Sequence, residues 1–314
     1  MTFQILVALI SGLASGLLLV VPLPTYIAGL GWGWPTAGIA AAIAALCGNM
    51  ILTPIAGITH FLAFGVPTVV ICWLATLSRL PPGAIEGDVA LESSREWYPP
   101  GRLVLWLVTY GAVLTIFAIL LIGSDIDTYR ATVRRGLDAN ALNWFEEMTN
   151  QELTEGDTAV LVDTMVRVFP GLFANTWLAI SLISLWLGGR IVRASGRLSR
   201  PWPDLALIEY PAITPILLAL AIGAMLLPGL LGIVAGGIAS ILLAAYLLMG
   251  LSIIHFITRP YPMRALVLSL VYISLFLLGQ IVAIVVTVIG LGEPLLRLRQ
   301  RLSSGSQNVN RRKS

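Results

Sequence analysis

The sequence predicts an all-α polytopic transmembrane helical bundle of about eight spans, and three observations carry that prediction. Residues 1–78 contain no Asp, Glu, Lys or Arg, so the first charged side chain is Arg79. Hydrophobic residues make up 57% of the chain and charged ones 11%, against about 25% charged in ordinary soluble domains. Solid apolar runs recur at residues 3–21, 51–77, 103–122, 172–187, 213–227, 230–257 and 265–291, and about 20 apolar residues suffice to cross a bilayer. A transmembrane barrel would alternate apolar and polar residues instead.

The uncharged opening divides into three spans. The first covers residues 2–21 and is expected to end at Pro22 and Pro24, because proline cannot continue a helix. It lacks the positive start of a secretory signal and is read as a retained span. A Gly/Trp-rich turn at residues 29–35 follows, with Trp32 and Trp34 placed as interfacial anchors. The second span covers residues 36–50. The third covers 53–77 and is expected to kink at Pro67, whose ring removes one backbone hydrogen bond.

Residues 79–102 form a polar loop with four acids and three arginines, and the fourth span is 103–123. The one sizeable extramembrane stretch is 124–168, with nine acids and four arginines. Its apolar residues fall at helical spacing: Tyr129, Val133 and Leu137, then Leu142, Phe145 and Met148. Residues 158–169 read as an amphipathic helix that enters the membrane at Pro170. The stretch is too short for an independent catalytic domain.

The fifth span is 172–189, followed by residues 190–200 with four arginines and no acid. The sixth (212–227) and seventh (232–257) are separated only by Pro228-Gly229. Arg259 and Arg264 bracket a Pro-Tyr-Pro turn. Four regions result: membrane spans in 1–123 with the polar loop 79–102, the acidic segment 124–168, membrane spans in 169–296, and a basic, disordered tail 297–314.

Orientation depends on the last apolar stretch. Positive loops belong on the cytoplasmic side, and 190–200, 259–264 and the tail are all positive. One long tilted helix over 265–296 would carry the tail outside. Two short helices breaking near Gly279-Gln280 return it to the cytoplasm, and each arm is tolerable as a protein-buried re-entrant element. The hairpin is the preferred reading, and it leaves the acidic segment outside.

Groups that could carry chemistry are few. Ala8, Gly12 and Gly16 recur every fourth residue on one face of the first span, a spacing that lets two helix backbones approach. That face suits packing within the bundle or docking to another membrane subunit. His60 is the deeper of the two histidines, and Asn49, Thr53 and Thr59 lie near it in sequence as a candidate polar pocket. His255 sits near a helix end, where it can reach the interface. Cys47 and Cys72 read as small core residues. No P-loop, HExxH, GxSxG or CxxC is present, so no enzymatic activity, cofactor or metal is expected. The arginines lack interleaved aromatics, which argues against nucleic acid as a partner. Lys313 is the only lysine; arginine in its place points to a GC-rich bacterial genome.

The last third has a layout of its own. A basic loop (190–200) and a proline-led span come first, then a span ending Leu251-Ser252-Ile253-Ile254-His255 and a short basic turn. The closing apolar stretch ends Gly290-Leu291-Gly292-Glu293-Pro294-Leu295 and Arg297-Leu298-Arg299. This layout resembles the YybS-like family of polytopic bacterial membrane proteins, which is similar in turn to the substrate-binding S components of energy-coupling-factor transporters. The resemblance implies an Ala-xxx-Ala docking pattern for a coupling subunit, matched here by Ala8 and Gly12. It also implies that metal uptake of the cobalt or nickel type needs an N-terminal histidine, which Met1-Thr2-Phe3 lacks. Two functions are therefore expected of a multi-pass protein of the bacterial inner membrane. One is an S-component-like small-molecule uptake subunit with a membrane coupling partner and a ligand of unknown identity. The other is a non-transporting scaffold or assembly factor with envelope proteins as partners.

Overall fold

Proline and glycine punctuate the apolar runs, and most element boundaries fall on them. The structure, a computed structural model, describes residues 21–51, 53–80, 95–137, 154–296 and 299. The expected first span, the Ala8/Gly12/Gly16 face, Leu142, Phe145 and Met148 lie outside these residues.

Helix α1 (Leu23–Trp32) corrects the reading of the early prolines, for Pro24 sits in its first turn rather than ending a helix. The missing N–H costs nothing there, since first-turn N–H groups have no helical partner. The turn expected over 29–35 shrinks to Gly33, at φ 97°, before α2 (Trp34–Ile51). Thr53 caps α3 (Pro54–His60), its hydroxyl accepting the Ala56 N–H at 3.1 Å. A π-helical turn (Phe61–Gly65) then leads into α4 (Val66–Thr76). Short antiparallel strands β1 (Ser78–Arg79) and β2 (Glu96–Trp97) pair Ser78 with Trp97. Helix α5 (Pro100–Ile122) begins on a proline, as α1 and α3 do near their own starts.

After α6 (Ile126–Gly136) comes α7 (Glu155–Ala194), a continuous helix of 40 residues. The expected amphipathic helix and the fifth span are thus one element, with Pro170 inside it. At a rise of about 1.5 Å per residue α7 is about 60 Å long, twice the hydrocarbon thickness of about 30 Å. Its first turns must therefore stand outside the membrane. A short 3₁₀ turn (Leu205–Leu207) precedes α8 (Thr214–Ala224), which has 11 residues and is shorter than the span expected over 212–227. Helix α9 (Leu230–Ile257) follows the Pro228-Gly229 turn. Gly279, at φ 45°, separates α10 (Arg264–Leu278) from α11 (Gln280–Leu296), where the break was expected.

Among the described residues, five helices are long and apolar enough to cross a membrane: Trp34–Ile51, Ile55–Thr76, Pro100–Ile122, Glu155–Ala194 and Leu230–Ile257. Helices α8, α10 and α11 are apolar but shorter. Between 11% and 44% of each spanning window is buried within the protein, so the remaining apolar surface is available to lipid.

The chain forms two compact units, residues 1–110 with 177–204, and residues 111–176 with 205–314. In the first, Tyr26, Leu30, Ala37, Ile71 and Cys72 are buried together with Leu107 and Val192. Gly29 and Gly188 allow the close approach: a Cβ on Gly29 would meet Cys72 Sγ at 2.5 Å, and one on Gly188 would meet Tyr26 Cβ at 3.1 Å. In the second unit the backbones of α9 and α11 touch, because a Cβ on Gly250 would fall on Val286 O and one on Gly290 on Tyr246 O.

Candidate functional site

Among the described residues, polar or aromatic groups gather at the π turn beside His60, in the cap built on α6, and at the end of α11, among other places. At the π turn the backbone explains the side chains. Pro67 has no N–H to give Ala63 O, four residues before it. In the π turn Val66 N–H reaches back five residues to Phe61 O, which leaves Leu62 O without its helical partner. Two side chains distant in sequence take up these carbonyls. Trp177 Nε1 donates to Ala63 O at 2.8 Å, and Tyr110 Oη donates to Leu62 O at 2.6 Å. The same groups stack as a chain, with ring centroids 5.9 Å apart for His60 and Phe64, 6.4 Å for Phe64 and Trp177, and 5.9 Å for Tyr110 and Trp177.

The four residues of the expected pocket have these individual surroundings. His60 flanks the π turn against Phe64, Thr53 is used as the α3 cap, and Thr59 is exposed. Asn49 stands where α2 crosses α3, and a Cβ on Gly57 would collide with Asn49 Oδ1. That oxygen is buried and has no hydrogen-bond partner. Among the described residues none of the four hydrogen bonds to another. The polar partners of the π turn, Trp177 and Tyr110, lie far away in sequence, and nothing near Pro67 marks them.

The extramembrane cap lies in the second unit. Asp125 starts α6, its carboxylate accepting the N–H of Asp127 and of Thr128 at 3.1 and 2.9 Å and the Thr128 hydroxyl at 2.7 Å. These bonds, the Thr128 hydroxyl first, hold its pKa below the usual carboxylate range. Thr154 and Asp157 cap α7 reciprocally: Asp157 Oδ2 accepts the Thr154 hydroxyl at 2.6 Å and the Thr154 N–H at 3.0 Å, and Thr154 Oγ1 accepts the Asp157 N–H at 3.2 Å. Tyr129 is fully buried among Ile119, Val162, Val166 and Ile233, which pins α6 onto α5, α7 and α9. Gly123 makes that seat possible, since a Cβ there would meet Tyr129 N at 2.5 Å. Across the outer side of the cap opens a cleft of about 440 Å³ lined by Asp127, Arg130, Ala131, Arg134, Ala159, Val162 and Asp163. Arg130 bridges it, with Nε 2.8 Å from Asp163 Oδ1 and Nη1 3.9 Å from Asp127 Oδ1. The spacing 127, 130 and 134 on a helix was the available sequence signal for this charged face.

At the end of α11, Arg299 is buried. Its Nη2 donates to Ser252 Oγ at 2.6 Å and to Ile208 O at 3.0 Å, and its Nε lies 3.9 Å from Glu293 Oε1. Ser252 belongs to the last two turns of α9, so α11 closes at the end of α9 that carries Arg259 and Arg264. His255, on the same turns, shares a 2.9 Å hydrogen bond with Tyr272 of α10. Among the described residues no three His, Cys, Asp or Glu side chains come together as metal ligands.

Helices of this length and apolarity, with their charged groups confined to caps and ends, define an all-α, multi-pass membrane protein. The chain belongs to DUF2232, a family described as predicted membrane proteins, whose model matches residues 91–292. Comparison with curated proteins finds no match, and neither does comparison with solved structures.

Proposed function

We propose that this chain is a non-transporting scaffold of the bacterial inner membrane, which presents its extramembrane cap to envelope proteins. The reading assigns it no catalytic step, cofactor or metal. The observation that supports it is the cap: α6 is anchored by Tyr129 and carries an open cleft with two arginines and two aspartates on its outer side. Such a surface suits a polypeptide partner with charges of both signs. The test is photo-crosslinking in native membranes from a reactive residue at Ala131 or Arg134. Envelope proteins captured at both positions, and lost when Arg130→Glu and Arg134→Glu are combined, support the scaffold. Recovery of an ATPase pair with a coupling subunit instead would overturn it.

That second outcome belongs to the S-component-like reading, small-molecule uptake in the manner of the YybS-like resemblance. One observation favours it, the buried and unpartnered Asn49 Oδ1 at the α2–α3 crossing. It is weaker, because His60, Thr53 and Thr59 are engaged or turned outward.

A further inference from the structure

The arginines of residues 190–200 were read as a plain basic loop, yet the first unit gives them an ordered setting. Trp186, Arg190 and Arg193 follow one another at helical spacing along the end of α7. Gly196, at φ 71°, closes the helix: its N–H goes to Arg193 O at 3.0 Å and the Arg197 N–H to Val192 O at 3.1 Å. Arg197 is thereby fixed at the helix end. Each guanidinium then lies near an indole. Arg190 is 5.9 Å from the Trp186 ring and 5.8 Å from the Trp202 ring, Arg193 is 5.5 Å from Trp202, and Arg197 is 4.9 Å from Trp32. Among the described residues none of these three arginines meets a carboxylate, and all three are exposed. Arg200, by contrast, is buried and donates to Ala75 O and Tyr98 O at 3.2 and 3.3 Å, so it belongs to the frame.

We propose that Arg190, Arg193 and Arg197, with Trp32, Trp186 and Trp202, form a binding site for the phosphate headgroup of an anionic phospholipid. A guanidinium resting its face on an indole keeps its in-plane N–H groups for bidentate contact with phosphate oxygens. The setting selects lipid as the source of that phosphate. Trp186 and Trp32 are 50% and 57% exposed, and exposed tryptophans at the end of an apolar spanning helix mark headgroup depth. The helix C-terminus opposes an anion with about half a negative charge, which three full positive charges outweigh. Carbonyl-end polarity also explains why arginines gather here.

Native mass spectrometry of the full chain, exchanged against phosphatidylglycerol, phosphatidylcholine or inorganic phosphate, tests the site. Retained phosphatidylglycerol in excess of phosphatidylcholine is expected, and each of Arg190→Gln, Arg193→Gln and Arg197→Gln should lower it about fivefold. Trp32→Leu, at an exposed position, should lower it too while leaving the melting temperature unchanged. Replacing all three arginines by lysine keeps the charge but loses the planar fork, and the excess should not be restored. Full retention in the lysine variant would reduce the array to generic surface charge and overturn the site. Equal retention in Arg130→Gln and in the three glutamine variants would overturn it as well. Displacement of the lipid by millimolar inorganic phosphate would assign the arginines to a soluble anion and overturn the lipid reading.

Discussion

At the scale of single residues, the π turn beside His60 shows how a membrane interior handles a proline. In water, the carbonyls freed by Pro67 and by the π turn would be solvated. In hydrocarbon each unpartnered group costs several kcal/mol, so a side chain must reach it. Trp177 is 4% exposed and supplies its one donor to Ala63 O. Trp177→Phe should therefore destabilise the protein by about 1–3 kcal/mol through the stranded carbonyl, beyond any loss of packing. Pro67→Ala returns an N–H to the helix and gives Ala63 O an alternative partner. In that background Trp177→Phe should cost measurably less, and the two changes should couple in a double-mutant cycle read by thermal unfolding in detergent. Equal costs in both backgrounds would mean that the tryptophan acts by packing alone.

At the scale of elements, the cap is where polar chemistry organises helices. Asp125 accepts four hydrogen bonds at the start of α6, and its lowered pKa gives the sign of a pH effect. The ionised carboxylate is the bonded form, so its contribution is complete above the ordinary carboxylate range and is lost as pH falls through the lowered value. Asp157 at the start of α7 follows the same rule through Thr154. Protection of the Thr128 and Tyr129 amides, taken relative to the intrinsic exchange rate at each pH, should thus fall on acidification below the usual carboxylate range, and Asp125→Asn, which keeps the acceptor, should flatten that dependence. An unchanged pH profile in Asp125→Asn would remove the cap from the explanation. Much of this was legible beforehand: the breaks at Pro228-Gly229 and Gly279 and the amphipathic spacing of Tyr129, Val133 and Leu137 follow local rules of backbone and period, whereas beside Pro67 the helix runs on through a π turn. What was not legible depends on tertiary partners. Pro170 does not end α7, because a proline interrupts a helix only where packing fails to hold both sides, and here Gly171 lets Ser240 approach. Pro24 was misjudged because the same ring that stops one helix suits the first turn of the next. Of the pocket residues, Thr53 caps α3 and His60 lies against Phe64, contacts set by the helix start and by the π turn rather than by sequence proximity.

At the scale of the whole molecule, membrane orientation follows from how the second unit closes. Helix α9 begins in the cap, where Ile233 packs against Tyr129, and ends at Ile257 beside the positive turn that holds Arg259 and Arg264. The positive-inside rule predicts the cytoplasmic side for the positive end and the opposite side for the cap. The last apolar stretch then decides where the chain emerges. One straight tilted helix would carry residue 296 away from residue 264, whereas the break at Gly279 and the return of Arg299 to Ser252 bring them to the same end of α9. Single cysteines at Arg134, Arg264 and Leu296, introduced with Cys47→Ser to remove an exposed thiol, separate the two cases. A membrane-impermeant maleimide should label position 134 in intact spheroplasts and positions 264 and 296 only in inverted vesicles. Labelling of 264 and 296 from opposite sides would establish a single crossing over α10 and α11 and reverse the assignment of the tail.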